Sequence, residues 1–366
     1  LEKSKYLYSD LYWKSLDPQY HFSIQFTADL LAMNSADFII TSTFQEIAGT
    51  PNSVGQYESY QAFTMPGLYR VINGVDIFDP KFNIVSPGPD GEAFFPFDEE
   101  GKRLTGLSAE IDDLLYGDPG ETSRGHFEKP DKPILFTLAR LDKIKNLAGL
   151  VEWYGNSPAL RERVNLMVSG GFIALDKSQD EEEREQIRKM HELMDRFQLD
   201  GEMRWVEFLP GKNFVGELYR VIADTRGAFV QPALFEAFGL TVVEAMISGL
   251  PVFATCFGGP LEIIRHGESG FHIDPNHGDR SAAEIAEFFD RCASDPGYWE
   301  TISRNAVSRV RERYTWDLYA RRLMTLSRIY GFWKFITRSE RQENNRYLEM
   351  FYSLMYKRLA EELGKR

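Results

Sequence analysis

Residues 133–171 read PILFTLARLDKIKNLAGLVEWYGNSPALRERVNLMVSGG. Two short apolar runs, 133–138 and 164–168, flank a stretch around 146–154 whose apolar residues recur at helical spacing. Strands apolar at consecutive positions suit burial on both faces, and running parallel requires a crossover helix between them. The stretch is therefore a β-α-β unit that opens a domain. Outward from it, FIITST at 38–43, FNIV at 82–85, MRWV at 203–206, AFVQ at 228–231 and PVFAT at 251–255 are further candidate strands, with helical patterns between most of them. The fold class that follows is α/β, built on a doubly wound parallel sheet.

At one domain per roughly 150 residues, the 366 residues predict about two domains. Residues 93–130 are rich in Gly, Pro, Asp and Glu and read as a linker, so a second domain spans 131–325. Residues 1–92 hold only two good strands, too few to cover both faces of a sheet, and read as the end of an incomplete domain. Helical, aromatic residues at 326–366, among them Tyr330, Phe332, Trp333 and Phe335, carry too much apolar surface for solvent and are expected to return to that first domain. The chain starts at Leu1 with no signal sequence, so it is expected to be a piece of a longer one.

The formal charge of −13 argues against a nucleic-acid-binding face, which needs clustered cations in excess. Two cysteines, Cys256 and Cys292, exclude a disulfide framework and fit a reducing, cytoplasmic setting. Glycines and prolines break the longest uncharged stretch near the middle, 245–261, so no transmembrane segment is expected. The six histidines include no H-E-x-x-H, and there is no G-x-S-x-G or Walker loop.

Two strand ends carry chemistry. The run Ala139-Arg140-Leu-Asp-Lys143-Ile-Lys145-Asn146 sets three cations after the strand at 133–138, just before a helix that Asn146 can cap. A forked guanidinium and a compact ammonium suit a diphosphate, although an ion pair with Asp142 would explain the same residues. The run Gln231-Pro-Ala-Leu-Phe-Glu236-Ala237-Phe238-Gly239-Leu240-Thr241-Val-Val-Glu244 leads from a strand end into a helix beginning at Thr241. Thr241-x-x-Glu244 has capping-box spacing. Glu236 stands among apolar residues at the carboxyl end of a buried strand, where open α/β sheets place ligands, and the first helical amides favour an anion.

Arg140-x4-Lys145 followed by Glu236-x7-Glu244 resembles the retaining GT-B glycosyltransferases. GQYESYQAFTMPGLYRV at 55–71, FVQPALFEAFGLTVVEAM at 229–246 and YGFWKF at 330–335 narrow the resemblance to the sucrose synthase family, and it runs nearly end to end. The resemblance implies a GT-B fold, with the C-terminal helices crossing back. It implies reversible transfer of glucose between a nucleoside diphosphate, UDP or ADP, and fructose, making or cleaving sucrose with retention. No cofactor and no metal are implied; the partners are nucleotide sugar, fructose and sucrose, with a homo-oligomer in the full-length form. By position, Arg140 and Lys145 match the diphosphate cations and, with Glu236, form the catalytic set. Ala237, Phe238, Gly239, Leu240 and Thr241 match the loop around the glucosyl ring and phosphate, Glu244 matches the carboxylate on the ribose, and Lys5 falls on the acceptor side. Leu209-Pro210 and Val215 depart from the plant members' Gln-Met and Asn. Two alternatives stand beside this reading: a nucleotide-sugar-binding module without turnover, and a glycoside hydrolase using Glu236 and Glu244 as its carboxylate pair.

Overall fold

The computed structural model describes residues 36–48 and 82–336 apart from residue 208, with scattered positions in 18–33 and 342–363. Lys5 and the 55–71 segment lie outside the described residues. The chain divides into two compact units, one of Leu1–Ser86 with Asp317–Arg366, the other of Pro87–Trp316.

In the first unit, β1 (Ile39–Thr41) and β2 (Phe82–Ile84) pair in parallel. The second unit carries a seven-stranded sheet: β3 (Ser123–Arg124), β4 (Ile134–Leu138), β5 (Asn165–Ser169), β6 (Met203–Val206), β7 (Ala228–Gln231), β8 (Val252–Thr255) and β9 (Phe271–Ile273). Their spatial order is β3-β6-β5-β4-β7-β8-β9, all parallel except the β3 edge. From β6 to β9 this is the doubly wound order 3-2-1-4-5-6, whose direction of winding reverses between β4 and β7. The crevice at the carboxyl ends of those two strands is where such sheets receive ligands.

The α-helices of six or more residues in this unit are α1 (Ser108–Tyr116), α2 (Leu147–Asn156), α3 (Pro158–Arg163), α4 (Glu181–Phe197), α5 (Gly211–Asp224), α6 (Leu240–Ile247), α7 (Gly278–Ser294) and α8 (Pro296–Arg313). Helices α2, α3, α4 and α7 pack together, and α6 packs on α8. Strands β5 to β8 are buried at every residue, as their unbroken apolar runs require. Tyr219 of α5 stands edge-on to Phe136 and Phe229 at 5.7 and 5.5 Å between ring centres, wedging the helix onto the strands that flank the crevice.

The stretch 93–130, expected as a linker, contributes Ala93, Phe94, Ile111, Leu115 and Phe127 to this core. Buried Arg220 fixes its start, donating to the Ala93 carbonyl and to Glu217 at 2.9 Å each, while Arg103 reaches the same Glu217 at 2.6 Å. Sequence composition registered the loops there and not the ion pairs that hold them. In the first unit, α9 (Trp316–Ile336, counted from Asp317) stacks Tyr330 on Phe38, takes a hydrogen bond from Asn83 at 3.2 Å and pairs Lys334 with Asp37 at 2.9 Å. Phe332, Trp333 and Phe335, expected to be covered, are more than half exposed. Among the described residues no helix is long and apolar enough to cross a membrane.

Candidate functional site

Three loops meet at the crevice: 139–146 after β4, 232–239 after β7 and 256–259 after β8. Backbone bonds stitch them, with Leu234 donating to the Ile144 carbonyl at 2.8 Å, Glu236 to Phe257 at 3.1 Å and Gly259 to Glu236 at 2.8 Å. The approach is close enough that a Cβ on Gly258 would stand 2.0 Å from the Glu236 carbonyl oxygen. Only glycine tolerates that contact, and its φ of +100° adds a second requirement.

Asn146 does not cap α2 through its side chain. It sits at the N-cap in a left-handed conformation, φ 57°, and its Nδ2 donates to the Pro232 carbonyl at 3.1 Å, joining the first two loops. Lys145 and Glu236, far apart in sequence, form an ion pair at 2.7 Å with side chains 21 % and 15 % exposed. Gln231, the last residue of β7, donates from Nε2 to the same Glu236 Oε2 at 2.6 Å. Arg140, in the loop after β4, is 60 % exposed and reaches Asp142 at 3.2 Å, so the surface-pair partner expected from sequence is present. Burial raises the Asp142 carboxyl, opposed by the Lys145 amide that donates to it at 3.0 Å and by the Arg140 charge.

The loop 236–241 is also corrected in part. Helix α6 begins at Leu240, one residue earlier than expected, because Gly239 at φ +100° takes the N-cap; no side chain caps it. Glu244 then stands two residues beyond the capping-box position. It is half-buried, and burial pushes its carboxyl up to about 7; Lys212 opposes the rise and Asp90 adds to it. The Phe238 ring is buried 6.1 Å from Tyr314, so this residue faces the core, whereas Leu240 is exposed, Thr241 is half-buried in the first turn and Ala237 is half-buried in the loop before it. First-turn amides lack intrahelical acceptors and attract an anion.

Sequence reasoning missed Gln231 and the pair Lys212 and Asp90, which lie 3.6 Å apart. A polar residue closing the apolar run AFVQ was a visible signal for the first. Nothing in the sequence joins Lys212 to Glu244, since only the fold brings α5 and α6 together.

A family model described as glycosyl transferases group 1 matches residues 120–305, about half the chain. The chain belongs to the group 1 glycosyltransferases. A second model, described as the first GT-B domain of sucrose synthase, matches residues 1–116 of this glycosyltransferase chain. Its relatives include sucrose synthases from Denitrovibrio acetiphilus and Nitrosomonas europaea, each 60 % identical over 99 % and 100 % of the chain and 46 % of the relative. Sucrose synthase 3 from Arabidopsis thaliana is 58 % identical over 99 % of the chain and 45 % of its own length. The chain thus spans about half the length of these relatives. Among solved structures, a sucrose-phosphate synthase from Thermosynechococcus elongatus superposes with TM-score 0.55 at 20 % identity, covering 83 % of this chain and 60 % of that one. HepE from Anabaena, solved with UDP and glucose, gives 0.58 at 18 % identity over 85 % and 68 %. These show the GT-B fold.

Proposed function

We propose that the chain binds a nucleoside diphosphate glucose in the crevice between β4 and β7 and takes part in the sucrose synthase reaction, NDP-glucose + D-fructose = NDP + sucrose, with UDP or ADP as the nucleotide and retention at the anomeric carbon. The observation that carries this reading is the Lys145–Glu236 ion pair beside Arg140, at the point where strand order reverses. The bond from the anomeric carbon to the diphosphate oxygen breaks as the bond to the fructose hydroxyl oxygen forms, and the hydroxyl proton passes to the departing diphosphate. Negative charge grows on that diphosphate, so preorganised cations and a helix N-terminus facing it lower the barrier. Arg140 and Lys145 supply the cations, and the amides of Leu240 and Thr241 supply the helix end; the reading assigns no metal and no cofactor. Glu236 faces the glucosyl ring, and Glu244 accepts from the ribose hydroxyls. A hydrolase reading built on Glu236 and Glu244 has no use for this cation set.

Because the relatives are about twice as long, a second reading holds that these 366 residues bind the nucleotide sugar without turning it over. Calorimetry with UDP, ADP and UDP-glucose, run beside a sucrose-cleavage assay on the same chain, separates the two. Binding with turnover supports the enzyme, binding without turnover supports the module, and no binding of any of the three overturns both.

A further inference from the structure

Gln231 closes β7 with a side chain only 3 % exposed. Its Nε2 shares Glu236 Oε2 with Lys145 Nζ, at 2.6 and 2.7 Å. Among the described residues Glu236 Oε1 takes no hydrogen bond, so one carboxylate oxygen is anchored twice and the other keeps its full accepting capacity. The backbone of Glu236 is held too, through Phe257 and Gly259. The lysine is a point charge on a flexible stem, which fixes a distance more than a direction; the amide stands on the end of a buried strand and fixes the direction.

Gln231 Oε1 is buried and has no hydrogen-bond partner. An unpaired buried acceptor opposes folding, and methionine fills nearly the same space without one. Stability alone therefore gives no reason for an amide at this position; its bond to Glu236 does. Resting on the proposed function, we infer that Gln231 is a positioning residue, one that aims the Glu236 carboxylate at the sugar and sets selectivity for the glucosylated nucleotide over the bare one.

The test titrates UDP and UDP-glucose by calorimetry into the wild-type 366-residue chain, Gln231→Met, Glu236→Gln and the double variant, with thermal melts alongside. For Gln231→Met the expected result is UDP affinity within twofold of wild type, UDP-glucose affinity lowered about tenfold, as for one charged hydrogen bond, and a melting temperature equal or higher. The double variant should bind UDP-glucose within twofold of Glu236→Gln alone, because the amide acts through that carboxylate. Equal weakening of UDP and UDP-glucose together with a lower melting temperature, or losses that multiply in the double variant, would overturn the inference while leaving the proposed function standing. Gln231→Asn, which retains an amide one methylene short of the carboxylate, should reproduce the selective loss; wild-type selectivity in it would overturn the inference even if the methionine variant failed to fold. A wild-type chain that binds no nucleotide would overturn the proposed function and this inference with it.

Discussion

Under the proposed function, Arg140 offers the simplest test of the chemistry. Its side chain is 60 % exposed and pairs with Asp142, so removing it disturbs no core, and under the proposed function its effect falls on the transition state. Arg140→Ala in an active form of the enzyme should raise the barrier by roughly 3 kcal/mol, about two orders of magnitude in kcat, with an unchanged melting temperature. Near-normal turnover would remove the guanidinium from the mechanism. Glu244 makes a pH-dependent prediction. Burial holds its carboxyl near 7 in the folded chain against an ordinary 4.5, so the folded state keeps a proton that the unfolded chain releases. Stability contributed by this group is full below about 4.5 and declines as pH climbs to about 7. Ribose hydroxyls, which the proposed function sets against Glu244, favour the ionised form, so nucleotide binding between pH 6 and 7 should expel a proton, seen as a calorimetric heat that varies with the buffer's ionisation enthalpy. In Glu244→Gln that dependence should vanish. At this scale the places of Arg140, Lys145, Glu236 and Glu244, after strands or in the following helix, were legible in the sequence because they are local facts. Their partners were not: Lys145 meets Glu236 across 91 positions, and only the order of the strands decides that.

Among the elements, the central strands were the most readable, since an unbroken apolar run bounded by turn residues has few other ways to be buried. The seven expected strands all occur, with ends moved by a residue or two. Two further strands went unread: β3 has two residues and β9, Phe-His-Ile, has three, too few for an alternation to stand out. The start of α6 was misplaced because Thr241-x-x-Glu244 imitates a cap, while Gly239 ends the turn one residue earlier by taking a φ open chiefly to glycine. The three-loop junction is correspondingly sensitive at Gly258. Gly258→Ala forces a Cβ to within 2.0 Å of the Glu236 carbonyl, so the loops must part. The expected outcome is a loss of more than about 2 kcal/mol in denaturant unfolding together with lost nucleotide binding. An alanine variant of wild-type stability and affinity would show that the loops are not in contact as described.

For the whole molecule, the net charge of −13 and the local cations act in opposition. The general field repels a diphosphate, while under the proposed function Arg140 and Lys145 attract it at short range. Salt screens exposed charges and the long-range field more than the half-buried Lys145. The core is where global stability resides, and Phe229 in β7, fully buried against Phe136 and Tyr219, tests it. Phe229→Ala should cost about 3–5 kcal/mol in chemical denaturation. A cost near zero would mean that the sheet is not packed as described. Composition read 93–130 as a linker because Gly, Pro and acidic residues announce loops without saying whether the loops are anchored, as Arg220 and Arg103 anchor these. Glu236, finally, is tied to the ends of three strands at once: to β4 through Lys145, to β7 through Gln231 and to β8 through Phe257 and Gly259. Loops so joined should open as one cooperative unit, and the amides of Leu234, Glu236 and Gly259 should exchange their hydrogens with solvent at a common rate that slows together when a nucleotide sugar arrives.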